Sequence, residues 1–418
     1  MLLALAIVAT LIPLSGCPQT DAGKSTVFPP RRTEESRRQD RIQSYMRIAA
    51  LLPLTGTARE SGLTMQRGID LALQAANTAG DVQGRKLLVV YADTRGDAEA
   101  ARSEAEKLIA DVPPDSLIYG AFGEEAEAVA EMAETQAVPL LIAASTGEAG
   151  ASAGDDSARP CVFSLCATPE LEGRALAFCA ADELAAKRVS IVWDESSDSS
   201  RYAKTAMLDE FATHHPGIKV SDVSDSGDAA HSYGALTERL KEQTPDAVIL
   251  LVDGSAAVAM LRAIRDAGIE ANLLGWHRLS GASFLRSASG AVEGMMLVTH
   301  FAPDEPVEAV GSFVSAYAEA YGQAPDEFAA LAYDAVGLVA EAMKRARSFD
   351  PEALAVALAQ TKEYPGVTGA VSIDASHNAD RRVVLARVEL GKLHFVRAIK
   401  VSELSATPSL ERAESEQE

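Results

Sequence analysis

Side chains able to act as nucleophiles or metal ligands are few in this chain of 418 residues, and their spacing is poor for chemistry. Cys161, Cys166 and Cys179 do not follow a zinc-site pattern. A structural pair or buried thiols are expected there rather than a reactive cysteine. His214-His215 precedes Pro216 at a helix end, which reads as a solvated terminus and not a metal site. Gly120-Ala121-Phe122-Gly123 stands between a strand and a helix but lacks the dinucleotide fingerprint. No G-x-x-x-x-G-K-S/T loop, H-E-x-x-H pair or G-x-S-x-G elbow occurs. Asp and Glu total 60, so no single pair of carboxylates marks an acid–base site. No catalytic residue, metal or cofactor is expected, and the chain is not read as an enzyme. The net charge of −22 serves solubility and disfavours nucleic acid and anionic headgroups as partners.

One cysteine has a different context. The apolar run Met1–Pro13 is too short to cross a bilayer and fits the core of a secretion signal. Leu14-Ser15-Gly16-Cys17 follows and resembles the bacterial lipobox, although no Lys or Arg precedes the run. That resemblance implies export, cleavage before Cys17 and lipidation of its thiol, with the bilayer as a partner. Residues 18–46 are polar and charged and read as a tether.

Positioning elements begin at Arg47. Short apolar runs at 48–52, 86–91, 116–119, 138–142, 188–193, 219–223, 247–252, 273–275 and 294–299 predict buried strands. Helical spacing predicts helices over 64–79, 99–110, 124–135, 169–184, 202–213, 233–243, 255–267, 306–321 and 328–346. Strand-like segments at 369–373, 382–389 and 393–400 close the fold, and the tail from 401 is polar. The composition is ordinary for globular domains, with 47% hydrophobic and 23% charged residues, and the length suits two or three of them. The alternation predicts an α/β fold with two doubly wound parallel-sheet lobes joined by a hinge. The lobes are expected over 47–167 with 300–381 and over 168–299 with 382–400. Open sheets of this kind bind ligands at the carboxyl ends of their strands.

Several residues in order resemble the type I periplasmic binding proteins, specifically the leucine/isoleucine/valine-binding group of ABC transporters. They are Leu52-Pro53-Leu54-Thr55-Gly56, Gly62, Gly68, Asn77, Gly84, Asp93, Pro139, Ala144-Ser145-Thr146, Gly173, Gly268, Gly294-Met295 and Tyr333-Asp334-Ala335. The match runs over about residues 47–400. It implies a solute receptor that closes on a small ligand and docks on an ABC permease. The alternative on the same fold is a lipoprotein regulator or sensor, for example of cell-wall synthesis.

The resemblance also places the cleft. The hydroxyl position after the third strand falls on Gly123, beside Glu124. Ala144, Ser145 and Thr146 keep the family's backbone and hydroxyl contacts, and Ser61 stands where an aromatic is common. In lobe 2 an expected aromatic falls on Asp198 or Ser199, and the next cleft position falls on Asp253. The acid that pairs with the ligand's ammonium falls on His277, beside Arg278, and an imidazole cannot replace that counter-ion. His277 is expected to face the cleft. Phe328, Trp276 and Tyr333 would supply apolar surface, or be core. The ligand is therefore expected to be polar, amino-acid-like or related, but not a simple branched-chain amino acid.

Overall fold

The computed structural model describes residues 45–80, 82, 84–111, 114–120, 124–144, 159–225, 233–348 and 350–404. The first lobe is built on strands β1 (Tyr45–Leu52), β2 (Lys86–Asp93), β3 (Ser116–Tyr119), β4 (Leu140–Ile142) and β5 (Val162–Ser164). They form one parallel sheet in the order β2-β1-β3-β4-β5. Its helices are α1 (Arg59–Ala79), α2 (Ala98–Asp111) and α3 (Glu124–Gln136). The strands are apolar because helices cover both faces and leave no wet side.

The second lobe repeats the pattern. Helix α4 (Pro169–Phe178) leads into β6 (Arg188–Asp194), α5 (Asp198–His214) and β7 (Lys219–Asp225). Then come α6 (Gly234–Gln243), β8 (Ala247–Leu251), α7 (Gly254–Asp266), β9 (Asn272–Gly275), α8 (Ala282–Ala288) and β10 (Met296–Thr299). The parallel part runs β10-β9-β8-β6-β7, the same order as in the first lobe.

The chain then crosses back. Helices α9 (Glu308–Tyr321), α10 (Glu327–Ala346) and α11 (Pro351–Ala359) precede a three-stranded antiparallel sheet, β11 (Tyr364–Gly366), β12 (Gly369–Ile373) and β13 (Ala379–Arg381). Helix α10 and this sheet join the first lobe's core with Ile48, Leu52 and Ile118. Strands β14 (Val383–Glu389) and β15 (Lys392–Ile399) add antiparallel to β10 and so belong to the second lobe. The short helix α12 (Val401–Leu404) ends the described chain. The two sheets are thus linked three times, at residues 165–168, 300–307 and 382.

Two departures from the expected elements bear on the cleft. Helix α1 begins at Arg59, not Thr64, so Ser61 sits in its first turn. Helix α5 begins at Asp198, not Tyr202, because Ser197 caps it by accepting from Ser200 N at 3.2 Å. The short strands β5, β11 and β13 and helices α8 and α11 have no counterpart among the expected elements.

Glycines let three contacts close. A Cβ on Gly62 would lie 2.1 Å from Pro53 O, holding α1 against the loop after β1. On Gly68 it would lie 2.2 Å from Ala329 O, where α1 crosses α10. On Gly173 it would lie 2.0 Å from Ala203 O, where α4 crosses α5.

Candidate functional site

In each sheet the strand order reverses beside one strand, β1 in the first lobe and β6 in the second. Connections leave in opposite directions there and open a crevice at the carboxyl ends of the strands. In the first lobe the loop after β1 is shaped by a carboxylate at the end of β2. Asp93 accepts from Leu54 N (2.9 Å), Thr55 N (3.1 Å), Thr55 Oγ1 (2.7 Å) and Arg95 N (2.9 Å). Burial alone would raise the Asp93 carboxyl, but these bonds outweigh it and hold it low. Gly56 has φ +81° and could carry no side chain, since a Cβ would meet Arg95 O at 2.6 Å. Glu125 turns toward the sheet, accepting from Tyr119 Oη at 3.0 Å.

The second lobe's crevice carries a polar cluster. Ser199 lies in the first turn of α5, after β6, and Asp253 stands at the N-cap of α7, after β8. Arg278, after β9, joins them: Nη1 donates to Asp253 Oδ2 at 2.6 Å and Nη2 to Ser199 Oγ at 3.1 Å. The guanidinium lies over the Trp276 ring, 4.8 Å from its centroid. Asp253 makes no side-chain cap bond to its own helix, although Asp is a strong capping residue. Its side chain is 43% exposed against 9% for Arg278. Ser200 Oγ donates to Leu251 O at 2.6 Å and Trp276 Nε1 to Val252 O at 3.2 Å, bracing the strand ends.

His277 does not face the crevice, contrary to expectation. It is fully buried, and its Nδ1 lies 2.7 Å from Glu172 Oε1 of α4. A carboxylate buried on α4 attracts the imidazole away from the open end of β9 and leaves that end to Arg278. Burial alone would lower His277's pKa, but Glu172 and Glu327 outweigh it and raise it. Phe328 is also buried, 3% exposed and packed in the first lobe's core cluster, and its ring reaches the second lobe, where a Cβ on Gly281 would strike it at 2.8 Å. Trp276 is fully buried, while Tyr333 packs its ring 4.9 Å from Phe313.

Of the other expected residues, Ser61 is partly buried and Ala144 is buried beyond β4. Asp198 pairs with Arg201 on its own helix. Glu124 is the first residue of α3. Gly123, Ser145, Thr146 and Cys17 lie outside the described residues. Cys161, Cys166 and Cys179 are free, buried thiols, so no disulfide joins them. Among the described residues no group of three or more His, Cys, Asp and Glu could hold a metal, and no helix is long and apolar enough to cross a membrane.

Sequence reading missed a second polar cluster at the linkers between the lobes. Glu327, the first residue of α10, accepts from Ser280 Oγ, Thr299 Oγ1, His300 N and His300 Nδ1. Ala167 N donates to His300 Nε2 at 2.8 Å. Glu172, His277, His300 and Glu327 are all fully buried. Burial alone would raise the Glu327 carboxyl, but His300, His277 and Ser280 outweigh it and bring it down to about 2. Burial holds His300 below the usual imidazole value. No sequence spacing announces a cluster whose members come from four separate segments.

Comparison with known proteins agrees with this architecture. The family model described as "Periplasmic binding protein" matches residues 46–392. The Leu/Ile/Val-binding protein BraC3 of Rhizobium johnstonii is 26% identical over 336 residues, covering 78% of this chain and 86% of that protein. The crystal structure of the leucine-binding protein LivK of Thermotoga maritima superposes with TM-score 0.76 at 28% identity, covering 86% of this chain and 99% of its own. LivJ of Streptococcus pneumoniae, solved with isoleucine, gives TM-score 0.74 at 24% identity over 85% of this chain and 99% of its own. The family consists of non-enzymatic solute-binding proteins, in accord with the absence of a catalytic motif. The chain belongs to the periplasmic binding proteins of type I, in the leucine/isoleucine/valine-binding group that serves ABC transporters.

Proposed function

We propose that the chain is the lipid-anchored receptor of an ABC importer and captures a polar, amino-acid-like or related solute between its lobes. Closure about the three linkers would hide the solute, and the closed form would dock on the permease. Relatives are named for leucine, isoleucine and valine, but one observation argues for a different ligand here. The crevice of the second lobe presents the Ser199–Arg278–Asp253 cluster, while His277 is sealed against Glu172. A ligand meeting an arginine–carboxylate pair needs a polar end with charge placed toward β8 rather than β9. Ala144, Ser145 and Thr146 of the first lobe would hold its other end, with Ser61, Gly123 and Glu124 at the rim.

Calorimetric titration with leucine, isoleucine and valine tests this directly. Absence of micromolar binding is expected, and micromolar binding to any of the three overturns the ligand assignment. A thermal-shift screen of amino acids and polar organic acids should give at least one stabilising compound. Stabilisation by none would favour the regulator or sensor on the same fold, a reading that the sealed His277 also supports. Anchoring through Cys17 predicts that Cys17→Ser abolishes acylation of the exported protein, read by mass spectrometry of its N-terminus.

A further inference from the structure

His300 sits where the linkers between the lobes come together. It follows β10 on the second linker. Through Nε2 it accepts from the backbone of Ala167 on the first linker, and through Nδ1 it meets Glu327 at the start of α10 in the first lobe. The bonds fix the tautomer. Ala167 N–H can only donate, so Nε2 must carry a lone pair, and the proton therefore resides on Nδ1, where Glu327 accepts it. The imidazole is neutral in this arrangement.

We propose that His300 is a proton-operated clasp on the hinge, closed when neutral and released when protonated. An imidazolium has no acceptor. Protonation would keep the contact with Glu327 but set two N–H groups of His300 and Ala167 against each other, in a site with no water access. The first linker would shift at Ala167 while Leu165 stays held, because Arg381 Nη1 donates to Leu165 O at 2.8 Å.

The charged and titratable surroundings are these. Glu327 from α10 and His277, whose ring centroid is 5.2 Å away, face His300 directly. Arg381 of β13 acts on it electrostatically. Glu172 of α4 and Arg278 act on His277. The Cys166 thiol on the first linker feels Glu327, Arg381, Glu172 and Arg278. Asp326 adjoins Glu327, and Asp334 of α10 faces Arg381. Glu327 favours protonation of His300, whereas burial, Arg381 and His277 oppose it, so the clasp opens on the acid side of the ordinary imidazole range.

The test needs no ligand, so its failure is separable from failure of the transport reading. Amide exchange of the full chain is followed by NMR from pH 8 to pH 5, with rates divided by the intrinsic rate. Protection at Ala167 should fall by about tenfold or more on acidification while core strands such as β8 keep theirs. In His300→Gln, whose side-chain oxygen accepts at any pH, Ala167 should show no such fall. A flat wild-type profile, or an unchanged fall in the variant, overturns the proposal. Should the variant not fold, the side-chain nitrogen shifts of wild-type His300 decide: unprotonated Nε2 at neutral pH supports the clasp, and protonated Nε2 overturns it.

Discussion

Arg278 and Asp253 form one ion pair with unequal burial, and that inequality decides which partner matters more for stability. Removing the carboxylate by Asp253→Ala takes an ion-pair partner from a guanidinium that is only 9% exposed. The expected cost is about 1–3 kcal/mol by chemical denaturation. Arg278→Met leaves a carboxylate that is 43% exposed and so hydrated, and the Met stem keeps its packing on Trp276. Its cost should stay below about 1 kcal/mol. The reverse order would mean that the pair is not the buried anchor described. Glu327 provides a pH test. Its carboxyl is held at about 2 against the usual 4.5, so between these values the unfolded chain binds more protons than the native one. The stability it contributes is fully present above about 4.5 and lost as pH falls toward 2. Unfolding free energies of wild type and Glu327→Gln should converge as pH approaches 2 and separate above pH 5.

At the scale of elements, backbone proximity at glycine sets the geometry of both lobes. Gly62→Ala and Gly173→Ala would each drive a Cβ into a backbone carbonyl that cannot rotate aside, Pro53 O at 2.1 Å and Ala203 O at 2.0 Å. Each should cost about 1–3 kcal/mol through displacement of a helix. Gly311, in α9, has nothing within 4 Å of the corresponding position. Gly311→Ala should therefore stabilise by about 0.5–1 kcal/mol through helix propensity. A common sign for the three variants, read from thermal midpoints, would refute the packing account. Motif residues without ligand contacts find their reason here: Asp334, which opens no cleft, holds the turn into β12 by accepting from Val367 N at 2.8 Å and Thr368 N at 2.9 Å.

For the whole molecule, the main prediction is that ligand stabilisation discriminates against branched-chain amino acids. With ligand at a hundredfold excess over its dissociation constant, stability should rise by about 2.7 kcal/mol. Leucine at millimolar concentration should leave the thermal midpoint unchanged. The alternating strands and helices were legible in the residues because fully buried parallel strands are apolar throughout and helices repeat every 3.6 residues. Strands β5 and β13, three residues each, carried too little pattern to be seen. The family resemblance placed cleft residues at 198, 199, 253 and 277, in the loops and helix starts that follow β6, β8 and β9. What a side chain does there is another matter. The sequence by itself determined the two α/β lobes, the repeated order of their strands' apolar runs, and the lack of a catalytic motif. Only the tertiary structure decided that His277 turns inward to Glu172, that Arg278 takes its place beside Asp253, and that His300 ties Ala167 to Glu327. Those partners lie 105, 25, 133 and 27 residues apart. Periodicity reports which face of an element is buried, but only folding brings distant charges to hydrogen-bond distance and excludes the water that would otherwise screen them.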